Sequence, residues 1–108
     1  MKNFVYVKVH HIEGSVILAM CDQDIIEAIL EDGKLYIDIK NYSDFYKGDL
    51  IDSRKPNITI NKDMITSSNI VGNASIELAI SWGIINSENV MSIKGVKYAQ
   101  SYKVEKKL

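Results

Sequence analysis

Few side chains in this sequence have evident chemical potential: one thiol, Cys21, and two imidazoles, His10 and His11. Asp22 follows the thiol directly. Its short carboxylate suits an N-cap, so Cys21 stands just before a predicted helix start, where free N–H groups favour the thiolate. Nucleophilic catalysis also requires a base oriented by a third group. His10 and His11 are the only histidine bases, and nothing in the spacing brings either to Cys21. Free cysteine is among the most buried residue types, so Cys21 reads as structural. The two histidines are neighbours in a strand pattern and leave opposite faces. With no Cys-x-x-Cys or His-x-x-x-His pair, neither a metal nor a cofactor is expected. Asp22, Asp24 and Glu27 lack the spacing of a Ca²⁺ loop. Nor is there a Gly-x-Gly-x-x-Gly, a Walker-type loop or a Gly-x-Ser-x-Gly elbow. No catalytic residue is assigned. The rival expectation is a small enzyme or ligand-binding protein with a pocket around His10, Cys21, Asp22 and Asn69.

A second group of residues suggests binding. Tyr42, Phe45 and Tyr46 lie between Lys40 and Lys47 in an irregular stretch. Aromatic rings with lysines beside them stack on bases and neutralise phosphates in single-strand binders. Such rings also fold back over a core edge, and Asp44 and Asp49 in the same stretch oppose a polyanion. Charge is unevenly spread along the chain. From Val9 to Ser53 there are ten acidic residues against three lysines; from Lys94 to the end, Lys94, Lys97, Lys103, Lys106 and Lys107 face only Glu105. The net charge of −1 and a pI near 6.1 argue against indiscriminate nucleic-acid binding, so a binding surface would have to be local. A protein partner would supply much of it. The candidate RNA-binding residues are therefore Lys94, Lys97, Lys103, Lys106, Lys107, Tyr42, Tyr46 and Lys47.

The elements that must hold these residues follow from periodicity. Phe4 to Ile12 alternates as a strand, Glu13-Gly14 turns, and Ser15 to Met20 returns with both faces apolar, as a central strand does. Gln23 to Leu30 reads as a two-turn helix capped by Asp22. Leu35, Ile37 and Ile39 alternate with Tyr36, Asp38 and Lys40, a third strand with one wet face. Asn41 to Asn61 is the least regular stretch. The strongest helical spacing runs through Val71, Ala74, Ser75, Leu78, Ala79 and Trp82, closed by Gly83. Gly72 near its start marks either a break between two helices or the close approach of another backbone or of a ligand phosphate to a helix N-terminus. A final hairpin turns at Lys94-Gly95. The chain, at 108 residues, is read as a single α+β domain, 1–108: a small, mostly antiparallel sheet with one short and one long helix. No run of about 18 apolar residues predicts a membrane span. The single cysteine fits a reducing, cytoplasmic setting.

Five short stretches occur in a telling order: Lys8-Val9-His10, Cys21-Asp22, Phe45-Tyr46-Lys47-Gly48, Asn69-Ile70-Val71-Gly72 and Gly95-Val96-Lys97-Tyr98-Ala99-Gln100. Together they resemble the archaeal domain-of-unknown-function family number 424. The resemblance implies an archaeal cytoplasmic protein of this length and carries no activity with it. It also implies Pro and His before the Ala-Gln pair, where this chain has Lys97 and Tyr98; a reaction that needed that histidine would be absent here. The leading expectation is thus a non-catalytic binding module associated with RNA or the ribosome.

Overall fold

The computed structural model describes residues 3–102. The alternating N-terminal stretch forms β1 (Phe4–Ile12), which returns as β2 (Ser15–Asp22) with Ile12 opposite Ser15. Glu13 and Gly14 both take positive φ, 47° and 82°. That conformation matches the twist of the strands that a two-residue loop joins. A separate hairpin follows, β3 (Ile29–Asp32) with β4 (Leu35–Asp38), and then one helical turn, α1 (Ser43–Tyr46). The chain continues through β5 (Asp49–Asp52), β6 (Ser67–Val71), α2 (Asn73–Ser81), β7 (Met91–Ile93) and β8 (Val96–Tyr102).

Six strands make one sheet in the order β5-β1-β2-β6-β8-β7. All neighbours are antiparallel except β2 and β6, which run parallel. β2 is central, and Leu18 to Cys21 are all buried. Alternation sends Leu18 and Met20 to one face, with Val5, Val7 and Ile70, beneath Ile76, Leu78 and Ala79 of α2. Ala19, Cys21 and Val71 face the other way, beneath Ile26, Ile39 and Tyr46 of the hairpin segment and α1.

The mixed, mostly antiparallel class holds, with two corrections of size: the sheet is large for the chain, and α2 is only nine residues. Val71, read as the first inward residue of the helix, ends β6 instead, and the helix begins after Gly72. The short helix expected over Gln23 to Leu30 is a single 3₁₀ turn, Gln23–Ile25, followed by β3. Its apolar residues were ambiguous between the two periods. The pairing of Ile29 with Asp38 and Leu30 with Ile37, closed by the Gly33-Lys34 turn, decides for strand. No helix among the described residues is long and apolar enough to cross a membrane.

Candidate functional site

Asp22 is the most heavily bonded side chain of the candidate set, and its task is structural. It does not cap the turn that follows it. Instead its Oδ2 accepts from the Ala74 amide at 3.1 Å, and its Oδ1 from the Ser75 amide at 2.8 Å and Ser75 Oγ at 2.7 Å. The two amides are orphan donors of the first turn of α2, so the end of β2 caps a helix about fifty residues downstream. Burial pushes the Asp22 carboxyl above the usual carboxylate range, and the bonds from Ser75 and Ala74 partly pull it back. Gly72, with φ of 118°, is required here: a Cβ would collide with the Asp22 carboxylate. The group that approaches Gly72 is the Asp22 side chain, neither a second backbone nor a phosphate.

Cys21 is fully buried and its thiol is pushed up to about 12, first by desolvation and then by Asp22 and Asp24. At neutral pH it stays a thiol, and Sγ donates to its neighbour's carbonyl at 3.4 Å. Cys21 and Asp22 leave opposite faces of β2. His10 sits on the hairpin face, where Nε2 donates to the Phe45 carbonyl at 2.8 Å and the ring stacks on Phe45 at 4.6 Å. Lys8 Nζ donates to the Asp44 carbonyl at 2.7 Å. His10, Cys21, Asp22 and Asn69 are therefore not gathered into one pocket. Among the described residues no three His, Cys, Asp or Glu side chains stand where they would hold a metal ion.

The proposed RNA contacts are also divided. Phe45 and Tyr46 fold back onto the sheet, edge to face at 5.1 Å, and Tyr46 is buried with its hydroxyl pushed up to about 12 by desolvation. As a free stacking platform Tyr46 is a correction, because its ring closes the hairpin-face core. Tyr42 and Lys47 are exposed on that side. Lys97 is exposed on β8 but shares the α2 face with Ala99, so the sheet separates it from Tyr42 and Lys47. Its backbone is fixed there: Lys97 N donates to Asn73 Oδ1 at 2.9 Å, and its carbonyl accepts from Gly72 N at 2.8 Å. Lys94 lies exposed in the β7–β8 turn. Lys103, Lys106 and Lys107 lie outside the described residues.

What the hairpin face does form is a cleft of about 220 Å³. Its floor is Asn69–Val71 of β6 and Tyr98–Gln100 of β8; its walls are Leu35, Tyr36 and Ile37 of β4 and Tyr46 of α1. Asn69 and Gln100 are directly opposite across the antiparallel pair, and Val71 and Tyr98 occupy the next such position. No hydrogen bond engages the Asn69 or Gln100 amide among the described residues. No charged side chain lines the cleft. A larger hollow of about 500 Å³ lies between Glu13–Ser15 and Asp63–Thr66, away from all of these groups.

Seven of the ten residues around the cleft belong to the short stretches singled out in the sequence. The model for the family described as "Protein of unknown function (DUF424)" matches residues 10–104. The chain belongs to the DUF424 family. Among solved structures it is similar to an uncharacterized conserved protein from Methanopyrus kandleri, with a TM-score of 0.74 and 18% identity over 97% of this chain and 96% of that one. At that identity the likeness speaks for the fold of this DUF424 protein alone. No curated protein matches it. The Lys97-Tyr98 departure from the family resemblance falls on the cleft, since Tyr98 is one of its floor residues. Asn69 and Tyr46 were candidate site residues in the sequence; Tyr98 and Gln100 stood there only within a family-like stretch, and Tyr36 only on the wet face of a strand. The available signal was an amide on an otherwise apolar strand face, Val96-Tyr98-Gln100-Tyr102.

Proposed function

We propose that this DUF424 protein is a non-catalytic binding module that takes single-stranded RNA across the hairpin face of its sheet, in the setting of a ribonucleoprotein such as the ribosome. The observation that carries the reading is the uncharged cleft, where two free amides stand among three tyrosines. Aromatic surface beside amides suits unpaired bases, which are stacked and then read along their edges. The cations needed for phosphate flank it along the chain: Lys94 precedes β8, and Lys103, Lys106 and Lys107 follow it. Tyr98 and Gln100 lie between those two groups. The acidic residues Glu31, Asp32 and Asp38 belong to the hairpin that walls the cleft, so phosphates must be met away from that wall. A catalytic reading has no comparable support, since the buried thiol is protonated and His10 is committed to Phe45.

Fluorescence anisotropy of the purified full chain with a labelled unstructured RNA tests this. Four phosphate contacts give a log–log salt slope of about −2.8, at −0.7 per contact. Changing Lys94, Lys103, Lys106 and Lys107 to Gln should abolish most of that slope, whereas Lys97→Gln on the opposite face should leave affinity unchanged. Absence of saturable binding, or an unchanged slope in the fourfold variant, overturns the reading.

A further inference from the structure

We propose that the β3–β4 hairpin is a hinged flap, which opens from its root as a unit while the six-stranded sheet stays intact, and so gates the cleft beneath it. Such a flap belongs to the free chain and does not depend on the RNA reading. The two walls of the cleft are fastened differently. α1, which carries Tyr46, is tied to β1 by side-chain hydrogen bonds: Lys8 Nζ and the His10 ring reach its carbonyls at 2.7 and 2.8 Å. The hairpin carries the opposite wall, Leu35, Tyr36 and Ile37, and has no such tie. It is a separate two-stranded sheet. Among the described residues no hydrogen bond or ion pair joins residues 29–37 to the six-stranded one.

The hairpin's bonds are gathered at its root. The Ala28 carbonyl accepts from the Ile39 and Lys40 amides at 3.0 and 3.1 Å, and the Asp38 carboxylate accepts from the Asn41 amide and side chain at 2.9 and 2.7 Å. Ile26 and Ile39 are buried beside that root. Beyond it only apolar packing holds the hairpin down. Leu30 and Ile37, directly opposite each other, are half-buried against the core, whereas residues 31–36 are all exposed. A two-stranded hairpin is marginally stable by itself in water, so its closed position rests on that thin packing. Segments with few buried apolar contacts open locally at a fraction of the global cost. A bonded root and an unbonded tip make the root the hinge. Opening carries the wall of Leu35, Tyr36 and Ile37 away from Asn69 and Gln100, while Tyr46 stays in place.

Native-state hydrogen exchange on the full chain tests the hinge. The hairpin's ladder amides should exchange at least about a hundredfold faster than those of β2 and β6, yet remain measurably protected. Ile76→Val, a mild loss of packing on the α2 face, should speed β2 and β6 by about two- to tenfold and leave the hairpin rates unchanged. Hairpin amides that are as slow as those of the sheet, wholly unprotected, or accelerated equally by Ile76→Val would overturn the flap. Gating is read separately. In a Cys21→Ala background, Asn69→Cys places a thiol on the cleft floor for a bulky maleimide to label. Leu30 holds the hairpin down without lining the cleft, so adding Leu30→Ala should raise that labelling rate about tenfold. A rate that Leu30→Ala does not change would mean that the floor is reached with the hairpin closed, which would overturn the gate.

Discussion

On one face of the sheet, Leu18, Met20 and Ile70 disappear beneath α2; on the other, Asn69 and Gln100 stand in a cleft with no partner among the described residues. The α2 face also satisfies the half-buried Asp22 carboxylate with three donors. The hairpin face leaves two amides open to an incoming ligand. Both are made from the same strands, because alternate residues of β6 serve opposite faces. Both faces bury a core, the hairpin face around Cys21, Ile39 and Tyr46, and substitutions at its two free amides should have different consequences from substitutions beneath α2.

The largest stability effects belong to the α2 face. Leu78→Ala removes a buried side chain between helix and sheet and should cost about 2–5 kcal/mol in denaturant melts. A loss under about 1 kcal/mol would mean that the two faces do not differ in this way. Gly72→Ala should cost at least the roughly 1–3 kcal/mol of a strained backbone, with the displacement of Asp22 added. Asp22→Ala should cost about 1–3 kcal/mol, since it leaves three donors without their acceptor. In the double variant the collision is gone, so its cost should fall short of the sum of the two single costs. Strict additivity would break this account of the junction.

Protonation supplies a further, pH-dependent difference. The folded-state pKa values of Cys21 and Tyr46 are raised to about 12 from ordinary values of 9.0 and 10.0. Their contribution to stability is complete below the unfolded values and lost as pH rises through about 12. Cys21→Ala should flatten the alkaline limb of the stability profile. Native protein should also react with a thiol reagent far more slowly than unfolded protein at neutral pH. Smallest of all, Gln100→Ala should change stability by less than about 0.5 kcal/mol, as exposed positions do, while impairing ligand binding. A substantial loss of stability there would show that the cleft is part of the scaffold.

Strands closed by two-residue loops were legible because alternation and Gly turns are local signals. Glu13-Gly14 and Lys94-Gly95 stand where the pattern puts them. The strong helix was legible too, apart from its start, where the apolar spacing runs on from Val71 through the turn at Gly72. The Gln23 to Leu30 stretch failed because four isoleucine and leucine positions satisfy helix and strand alike, and the distant partner strand settles which forms. Asp22 was correctly read as a cap but assigned to the wrong helix: capping of α2 by the end of β2 is a tertiary contact with no local trace. The cleft was illegible for the same reason. It takes β4, α1, β6 and β8 to build it, and no short spacing relates Tyr36 to Gln100.

The parallel pairing of β2 with β6 has a kinetic meaning. Residues 23–66, including the whole hairpin segment, form the crossover between these neighbouring strands. The β1–β2, β3–β4 and β7–β8 hairpins can zip on the microsecond timescale. Docking of β6 must wait until that long crossover closes, a non-local event of the kind that slows folding. The Asp22–Ser75 contact joins β2 to the helix that follows β6, so it is expected to form after that docking. Asp22→Ala should therefore accelerate unfolding and leave the refolding rate nearly untouched, the signature of an interaction made after the rate-limiting step.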